Sequence, residues 1–253
     1  MQHTGGGSLV KVETQYSARV AGMSNSIVFE APRSLAKESL VGAGLGSTAV
    51  MRMAKFYPRR GKRLFDVAFS MAFLGLAGFW LLPLIALLIR LDSPGPALFR
   101  QQRVGLGGKV FLCLKFRTMG HNPEAAFVQT RRDDPRITRV GRILRKTNLD
   151  ELPQFINVLL GDMSVVGPRP HVPQLDEAFA GAVQSYELRT MVRPGVTGLA
   201  QVSGCRGETR SVREMNQRVR FDLFYIRSVS LLMDVKIVIR TVLAAIRGDE
   251  RAF

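Results

Sequence analysis

Between Val67 and Ile89 the chain runs for 23 residues with Ser70 as the only hydroxylic or more polar side chain. As a straight helix this run spans roughly 35 Å, against about 30 Å for the hydrocarbon core of a bilayer. Helices this long and apolar on every face are uncommon in water-soluble cores. The run therefore predicts a membrane segment, with a buried core helix as the alternative. Its flanks constrain it further. Arg52, Lys55, Arg59, Arg60, Lys62 and Arg63 precede it with no acid among them, and Arg90, Arg100, Arg103, Lys109, Lys115 and Arg117 follow it against Asp92 alone. Basic flanks favour the cytoplasmic side, and one crossing cannot place both there. A segment that enters and returns on the same face can. Pro83 supplies a break, because it has no N–H and its ring crowds the carbonyl of Phe79. Gly75 and Gly78 loosen the helix nearby. The segment reads as a re-entrant helix broken near Pro83, with a kinked full span left open.

Charge narrows the partners. The 253 residues carry a net charge of +16, which points to nucleic acid, acidic lipid or phosphate-bearing substrates. Residues 1–50 hold four basic and three acidic side chains, so the excess lies beyond them. That opening stretch is rich in Gly and Ser, lacks sustained periodicity and shows no secretory signal. The organisation expected is a largely disordered segment over residues 1–55, a basic flank and membrane helix over 56–95, and a soluble domain over 96–253. Nucleic acid is not expected as a partner. No recognition helix or aromatic platform is legible, and many basic residues sit beside prolines and glycines. Cys113 and Cys205 make neither a disulfide framework nor a zinc site, in keeping with a reducing cytosolic setting.

The soluble part reads as α+β, mainly helical. Ala97 to Gln101 and Val110 to Lys115 look like strands joined by the glycine turn Gly105-Leu106-Gly107-Gly108, a small β-hairpin. Ile137 to Lys146 has helical spacing. A second helix opens at Asp150-Glu151-Leu152-Pro153-Gln154 and ends near Gly161. With Asp150 as N-cap, Pro153 falls where its missing N–H costs nothing. Asp150 is thus a helix cap, a catalytic carboxylate, or both. In Gly167-Pro168-Arg169-Pro170 two prolines stiffen the loop around Arg169, which suits an arginine that grips phosphate as well as a solvated turn. Gln174 to Met191 reads as one helix. Ser228 to Ile246 is dominated by apolar residues, with Lys236, Arg240 and Arg247 on one stripe. It is either an amphipathic helix in the membrane interface or a helix packed on the core.

Nine segments, in order, carry a resemblance. They are Lys62-Arg63-Leu64-Phe65-Asp66, Ser93-Pro94-Gly95-Pro96, Gln102-Arg103-Val104-Gly105, Lys115-Phe116-Arg117-Thr118-Met119, Leu149-Asp150-Glu151-Leu152-Pro153-Gln154, Gly161-Asp162-Met163-Ser164, Gly167-Pro168-Arg169-Pro170, Arg193-Pro194-Gly195-Val196-Thr197-Gly198 and Gln201-Val202-Ser203-Gly204. From about Arg60 to about Val242 the chain resembles the bacterial sugar transferases, the monotopic phosphoglycosyl transferases that begin exopolysaccharide, capsule, O-antigen or glycoprotein assembly.

The resemblance implies a re-entrant membrane helix broken at Pro83, interfacial amphipathic helices and a catalytic domain on the cytoplasmic face of a bacterial inner membrane. It implies transfer of a sugar 1-phosphate from a nucleotide sugar, of UDP type, to polyprenyl (undecaprenyl) phosphate. Asp150 and Glu151 would be the catalytic pair and would hold Mg²⁺. Arg145 and Arg169 would contact phosphate, with Lys115 and Arg117 as weaker candidates. A two-step displacement through an aspartyl phosphosugar follows as the expectation. A homodimer fits as well, and neither the sugar nor the glycan pathway is legible. The chain departs from the family pattern at Leu82, where many members have serine, and at Ala200 and Val229, where tryptophan is usual. A membrane-tethered nucleic-acid binder and a scaffold without chemistry are the alternative readings.

Overall fold

The computed structural model describes residues 60–120, 130, 134–207, 209 and 211–247, all within one compact unit. The disorder expected over residues 1–55 falls outside them.

The apolar run is helical throughout. α1 (Lys62–Phe73) passes through a π turn, Leu74–Gly78, into α2 (Phe79–Asp92). Together they form a 31-residue helix long and apolar enough to cross a membrane. Pro83 lies inside α2 rather than in a gap between two helices. The departure from α geometry is upstream, in the π turn that contains Gly75 and Gly78. Leu76, Phe79, Trp80, Leu87 and Leu88 are exposed, which no water-soluble protein of this size tolerates easily in one stripe.

Both ends of this helix are anchored. At its start Arg63 donates to the carbonyls of Val158 at 2.6 Å and Leu159 at 2.9 Å, and farther along Phe69 and Phe73 pack on Phe155, with Phe73 at 4.4 Å between ring centroids. Near its end Ile85 and Ile89 join Ala97, Phe116 and Leu144 in a buried cluster. Asp92 accepts a hydrogen bond from the backbone N–H of Val140 at 3.1 Å.

The hairpin forms as expected, slightly longer. β1 (Leu98–Val104) pairs antiparallel with β2 (Val110–Phe116), and Leu98 faces Phe116. α3 (Arg139–Thr147) is capped by Thr138, whose side chain accepts from the N–H of Gly141. α4 (Gln154–Leu160) ends at Gly161 in a left-handed conformation. β3 (Ser164–Val166) then pairs in parallel with β4 (Gly195–Thr197), a second small sheet that the sequence did not announce. A side chain at Gly195 would collide with the backbone of Gly167, so only glycine lets these strands approach.

The single helix expected from Gln174 to Met191 is two pieces. α5 (Pro173–Ala180) stops, and a 3-10 turn (Tyr186–Met191) starts after Ser185, whose φ is 62°. α6 (Leu199–Val202) is one short turn. α7 (Val212–Ser228) was not foreseen; it buries Met215, Arg218, Val219, Asp222, Tyr225 and Ile226. α8 (Leu231–Arg247) buries Asp234 and Ile237 against the domain. Its other side exposes Leu232, Ile239, Val242 and Ile246. The core-packed reading thus describes one face of this helix, while the other is exposed and largely apolar.

Candidate active site

α3 ends at Asn148, which is left-handed with φ 59°. That turn is secured by Arg206, whose guanidinium donates to the Asn148 side-chain oxygen at 3.0 Å. The chain then makes a 3-10 turn over Leu149–Glu151 before α4 begins. Asp150 is therefore not the N-cap of α4, as the spacing suggested. Pro153 occupies that position and offers no side-chain cap. The reason is that Asn148 reverses the chain, so the dipeptide sits in the tight turn between two helices.

Glu151 is buried and held from two sides. Lys115, from β2, donates to its Oε1 at 2.8 Å. Arg169, from the loop after β3, donates to Oε1 at 2.6 Å and to Oε2 at 3.2 Å. Burial alone would raise the Glu151 carboxyl, but the Arg169 and Lys115 charges prevail and hold it well below the usual carboxylate range. Asp150 behaves oppositely. It is half-buried, and burial together with the charge of Glu151 pushes it up to about 6, against the pull of Lys115, Arg145 and Arg169. Glu151 takes the charge compensation and Asp150 is left short of it. This splitting of two adjacent carboxyls is the pattern expected where one of them reacts.

Arg145 donates from Nε to the Thr118 hydroxyl at 2.8 Å, and its charge and that of Asp150 influence one another. Arg117 is placed differently. Its Nη atoms donate to the carbonyls of Pro94 at 2.6 Å and Ser93 at 2.7 Å, so it braces the turn that ends the long apolar helix. Lys115, Glu151 and Arg169 are thus in direct contact, Asp150 and Arg145 adjoin them electrostatically, Arg117 is engaged elsewhere, and Pro83 lies exposed in α2.

The loop carrying Arg169 is fixed by more than its prolines. The carbonyls of Pro168, Arg169, Pro170 and His171 accept hydrogen bonds from Gly195 N–H at 2.9 Å, Arg189 at 2.8 Å, Arg103 at 2.8 Å and Val104 N–H at 2.9 Å. Arg189 also donates to Asp222 at 2.7 Å and to His171 Nδ1 at 2.8 Å. Burial and the Arg189 charge push the imidazole of His171 well below its usual range, so it stays neutral. Arg103, Arg189, Asp222 and His171 were missed by the sequence reading. A signal existed in α7, where Arg218 and Asp222 interrupt an otherwise apolar buried stripe. Replacing Arg189 with methionine leaves Asp222 buried without its partner. It should destabilise the fold by about 3–5 kcal/mol, read as a fall in the thermal or denaturant midpoint.

The profile of the bacterial sugar transferases matches residues 57–248. The chain belongs to the bacterial sugar transferase family. Among its relatives, a UDP-glucose:undecaprenyl-phosphate glucose-1-phosphate transferase of Caulobacter vibrioides is 54% identical over 170 residues, covering 67% of this chain and 64% of that protein. The Escherichia coli K12 protein of the same name is 51% identical over 159 residues, covering 62% of this chain and 34% of its own length. The exopolysaccharide production protein PSS of Rhizobium leguminosarum bv. phaseoli is 47% identical over 189 residues, covering 72% of this chain and 94% of that protein. This bacterial sugar transferase therefore spans less than two thirds of the first two relatives, and nearly all of the third.

Proposed function

We propose that this chain transfers a sugar 1-phosphate from a UDP-sugar to undecaprenyl phosphate in two steps, with Asp150 as nucleophile. One observation carries the reading. Among the described residues no hydrogen-bond donor engages the Asp150 carboxylate, while its neighbour Glu151 is locked between Lys115 and Arg169. In the first step an Asp150 oxygen bonds to the sugar-bearing phosphorus. The bond from that phosphorus to the bridging oxygen breaks, and uridine monophosphate leaves with the electron pair. In the second step an oxygen of undecaprenyl phosphate bonds to the same phosphorus. The bond to Asp150 breaks, and the carboxylate is regenerated. Arg145 and Arg169 hold the phosphate oxygens as charge develops, while Lys115 keeps Glu151 ionised and in place. The names of the relatives from Caulobacter and Escherichia support glucose as the sugar, and the Rhizobium protein supports an exopolysaccharide as the end product.

A divalent cation fits this site in part. Magnesium takes one or two carboxylates and completes its shell with water and substrate phosphate. The open, partly uncompensated Asp150 carboxylate suits that role. Glu151 Oε1 already accepts from Lys115 and Arg169, whereas Oε2 accepts one hydrogen bond from Arg169, so Glu151 would join through the remaining lone pair of Oε2. When bound, the ion would neutralise phosphate charge that otherwise repels a carboxylate nucleophile.

The membrane segment we read as re-entrant, with the catalytic domain, from residue 96 onward, on the cytoplasmic face of the inner membrane. Support comes from its two ends, which are held by the same domain through Lys62 and Arg63 at the start and through Ile85 and Ile89 near the finish. A straight 31-residue helix measures roughly 46 Å, and ends that share one domain do not suit opposite sides of a bilayer. Cysteines placed singly at the exposed positions Arg60 and Pro96, in a Cys113→Ser, Cys205→Ser background, should both resist an impermeant maleimide outside intact spheroplasts. Both should react once the cells are opened. Labelling of one site from outside would establish a full span.

The chemistry is tested by incubating the enzyme with UDP-glucose labelled in the sugar-bearing phosphate, without lipid. Label should appear on the peptide containing Asp150, with a stoichiometric burst of uridine monophosphate. A burst that requires undecaprenyl phosphate, with no labelled protein, would instead mean direct transfer between the two substrates.

A further inference from the structure

One buried ionic cluster lies outside the site. Lys62, in the first turn of α1, places Nζ 2.9 Å from Asp66 Oδ1 and 3.0 Å from Asp234 Oδ2, and the three side chains are 12%, 2% and 0% exposed. Asp66 Oδ1 also accepts from the Ser164 hydroxyl at 2.9 Å and from the Val165 N–H at 3.0 Å. The Tyr225 hydroxyl lies 2.7 Å from Asp234 Oδ1 and 3.0 Å from the Val166 carbonyl, and donates its one proton to either. The foot of the membrane helix, α7, α8 and β3 therefore meet at one point.

Burying an ammonium and two carboxylates is costly, and well-packed apolar side chains of similar volume are often as stable or more so. What ionic groups add is a defined geometry, because a slip of register leaves a charge without its partner. The elements joined here matter for that reason. α1 leads into the membrane segment. α8 presents Leu232, Ile239, Val242 and Ile246 outward beside Lys236 and Arg240, the pattern of a helix lying in a lipid interface. β3, gripped through Ser164, Val165 and Val166, runs directly into Gly167-Pro168-Arg169. The cluster thus couples both lipid-facing elements to the strand that carries the phosphate-binding loop.

We propose that Lys62, Asp66 and Asp234 are positioning residues that hold the Arg169 loop at the depth of the lipid headgroups, so that they govern transfer to the lipid acceptor and not reaction with the soluble donor. This rests on the two-step reading above. The donor diffuses in from water and needs no register with the bilayer. The acceptor phosphate is fixed at the headgroup plane, and a displacement of about 1 Å can cost a reaction roughly 100-fold.

The test uses the full chain in nanodiscs of phosphatidylethanolamine and phosphatidylglycerol, comparing wild type with Asp234→Asn. Asparagine keeps the shape and an acceptor for Tyr225, and leaves Lys62 balanced by Asp66. With UDP-glucose alone, the burst of uridine monophosphate should stay within about 2-fold of wild type. On adding undecaprenyl phosphate, the second step should slow by about 10-fold or more. With dispersed geranyl phosphate as acceptor, the second step should return to within about 2-fold. Equal loss in both steps, no loss in either, or equal loss with geranyl phosphate would overturn the proposal. If Asp234→Asn does not fold, Tyr225→Phe removes a single hydroxyl and is read by the same split. A wild type that shows no burst without acceptor refutes the two-step reading instead. Positioning is then judged from steady-state kcat/KM, which should fall for the lipid acceptor while KM for UDP-glucose holds.

Discussion

Asp150→Asn should lower turnover by about 10³-fold or more, abolish covalent labelling, and yield a protein more stable at pH 7.5 than the wild type. Activity is lost because an amide cannot displace uridine monophosphate from phosphorus. Stability rises because the wild-type carboxyl is pushed up to about 6 in the fold from an ordinary value of 3.8, chiefly by burial and then by the charge of Glu151. A carboxyl raised on folding favours the fold while protonated. That contribution is complete below about pH 4 and is lost as pH rises through about 6. Above it the ionised group opposes folding, and asparagine removes the opposition. For a half-buried group the gain is about 1–2 kcal/mol. Thermal melts at pH 7.5 and pH 4 should show the variant ahead at the first and level at the second. The same titration governs the wild-type reaction. The rate of the first step should fall as pH drops through about 6, because the nucleophile takes up a proton. A variant that keeps its activity, without deamidation or contaminating wild type, would remove Asp150 from the mechanism.

Arg169→Ala should lower kcat/KM for the UDP-sugar by about 10²–10³-fold and also move the pH profile. Two losses combine. The donor phosphate loses a planar, two-pronged cation, and Glu151 keeps only Lys115 as partner. Arg169 is also one of the three cations that lower Asp150. Without it the Asp150 carboxyl rises further, so the acidic limb of the first-step profile should shift to higher pH. Arg169→Lys separates the two effects. A lysine restores the charge, and with it the position of the limb. It cannot restore the forked geometry, so kcat/KM should stay about 10-fold low. An unchanged limb in Arg169→Ala would show that Arg169 does not act on Asp150 electrostatically.

Much of the local structure was legible because it follows from short-range rules. The hairpin around Gly105–Gly108, the helix ahead of Asn148 and the stop at Gly161 each depend on residues within one or two turns. The amphipathic end of the chain was legible as a pattern, though not which side would be covered. The misreadings have the same origin. Asp150 has the spacing of an N-cap, but left-handed Asn148, secured by Arg206 from 58 residues away, moves it into a separate turn. The break was expected at Pro83, whereas the helix adjusts upstream at the π turn over Leu74–Gly78, where the two loosening glycines lie. The helix expected from Gln174 stops at Gly181, a C-cap glycine that the reading passed over, before the chain turns left-handed at Ser185.

The sequence alone determined that this chain has a long apolar helix with basic flanks, an Asp150-Glu151 pair and an arginine between two prolines, because periodicity, charge and backbone restriction are written locally. Only the tertiary structure decided which carboxyl is left open. Lys115 and Arg169 lie 36 and 18 residues from Glu151 and converge on it rather than on Asp150. Coulomb interactions between buried groups depend on distance in space, which sequence separation does not encode. For the same reason the Lys62–Asp66–Asp234 cluster, which joins residues more than 160 positions apart, had no trace in the sequence beyond the charges themselves.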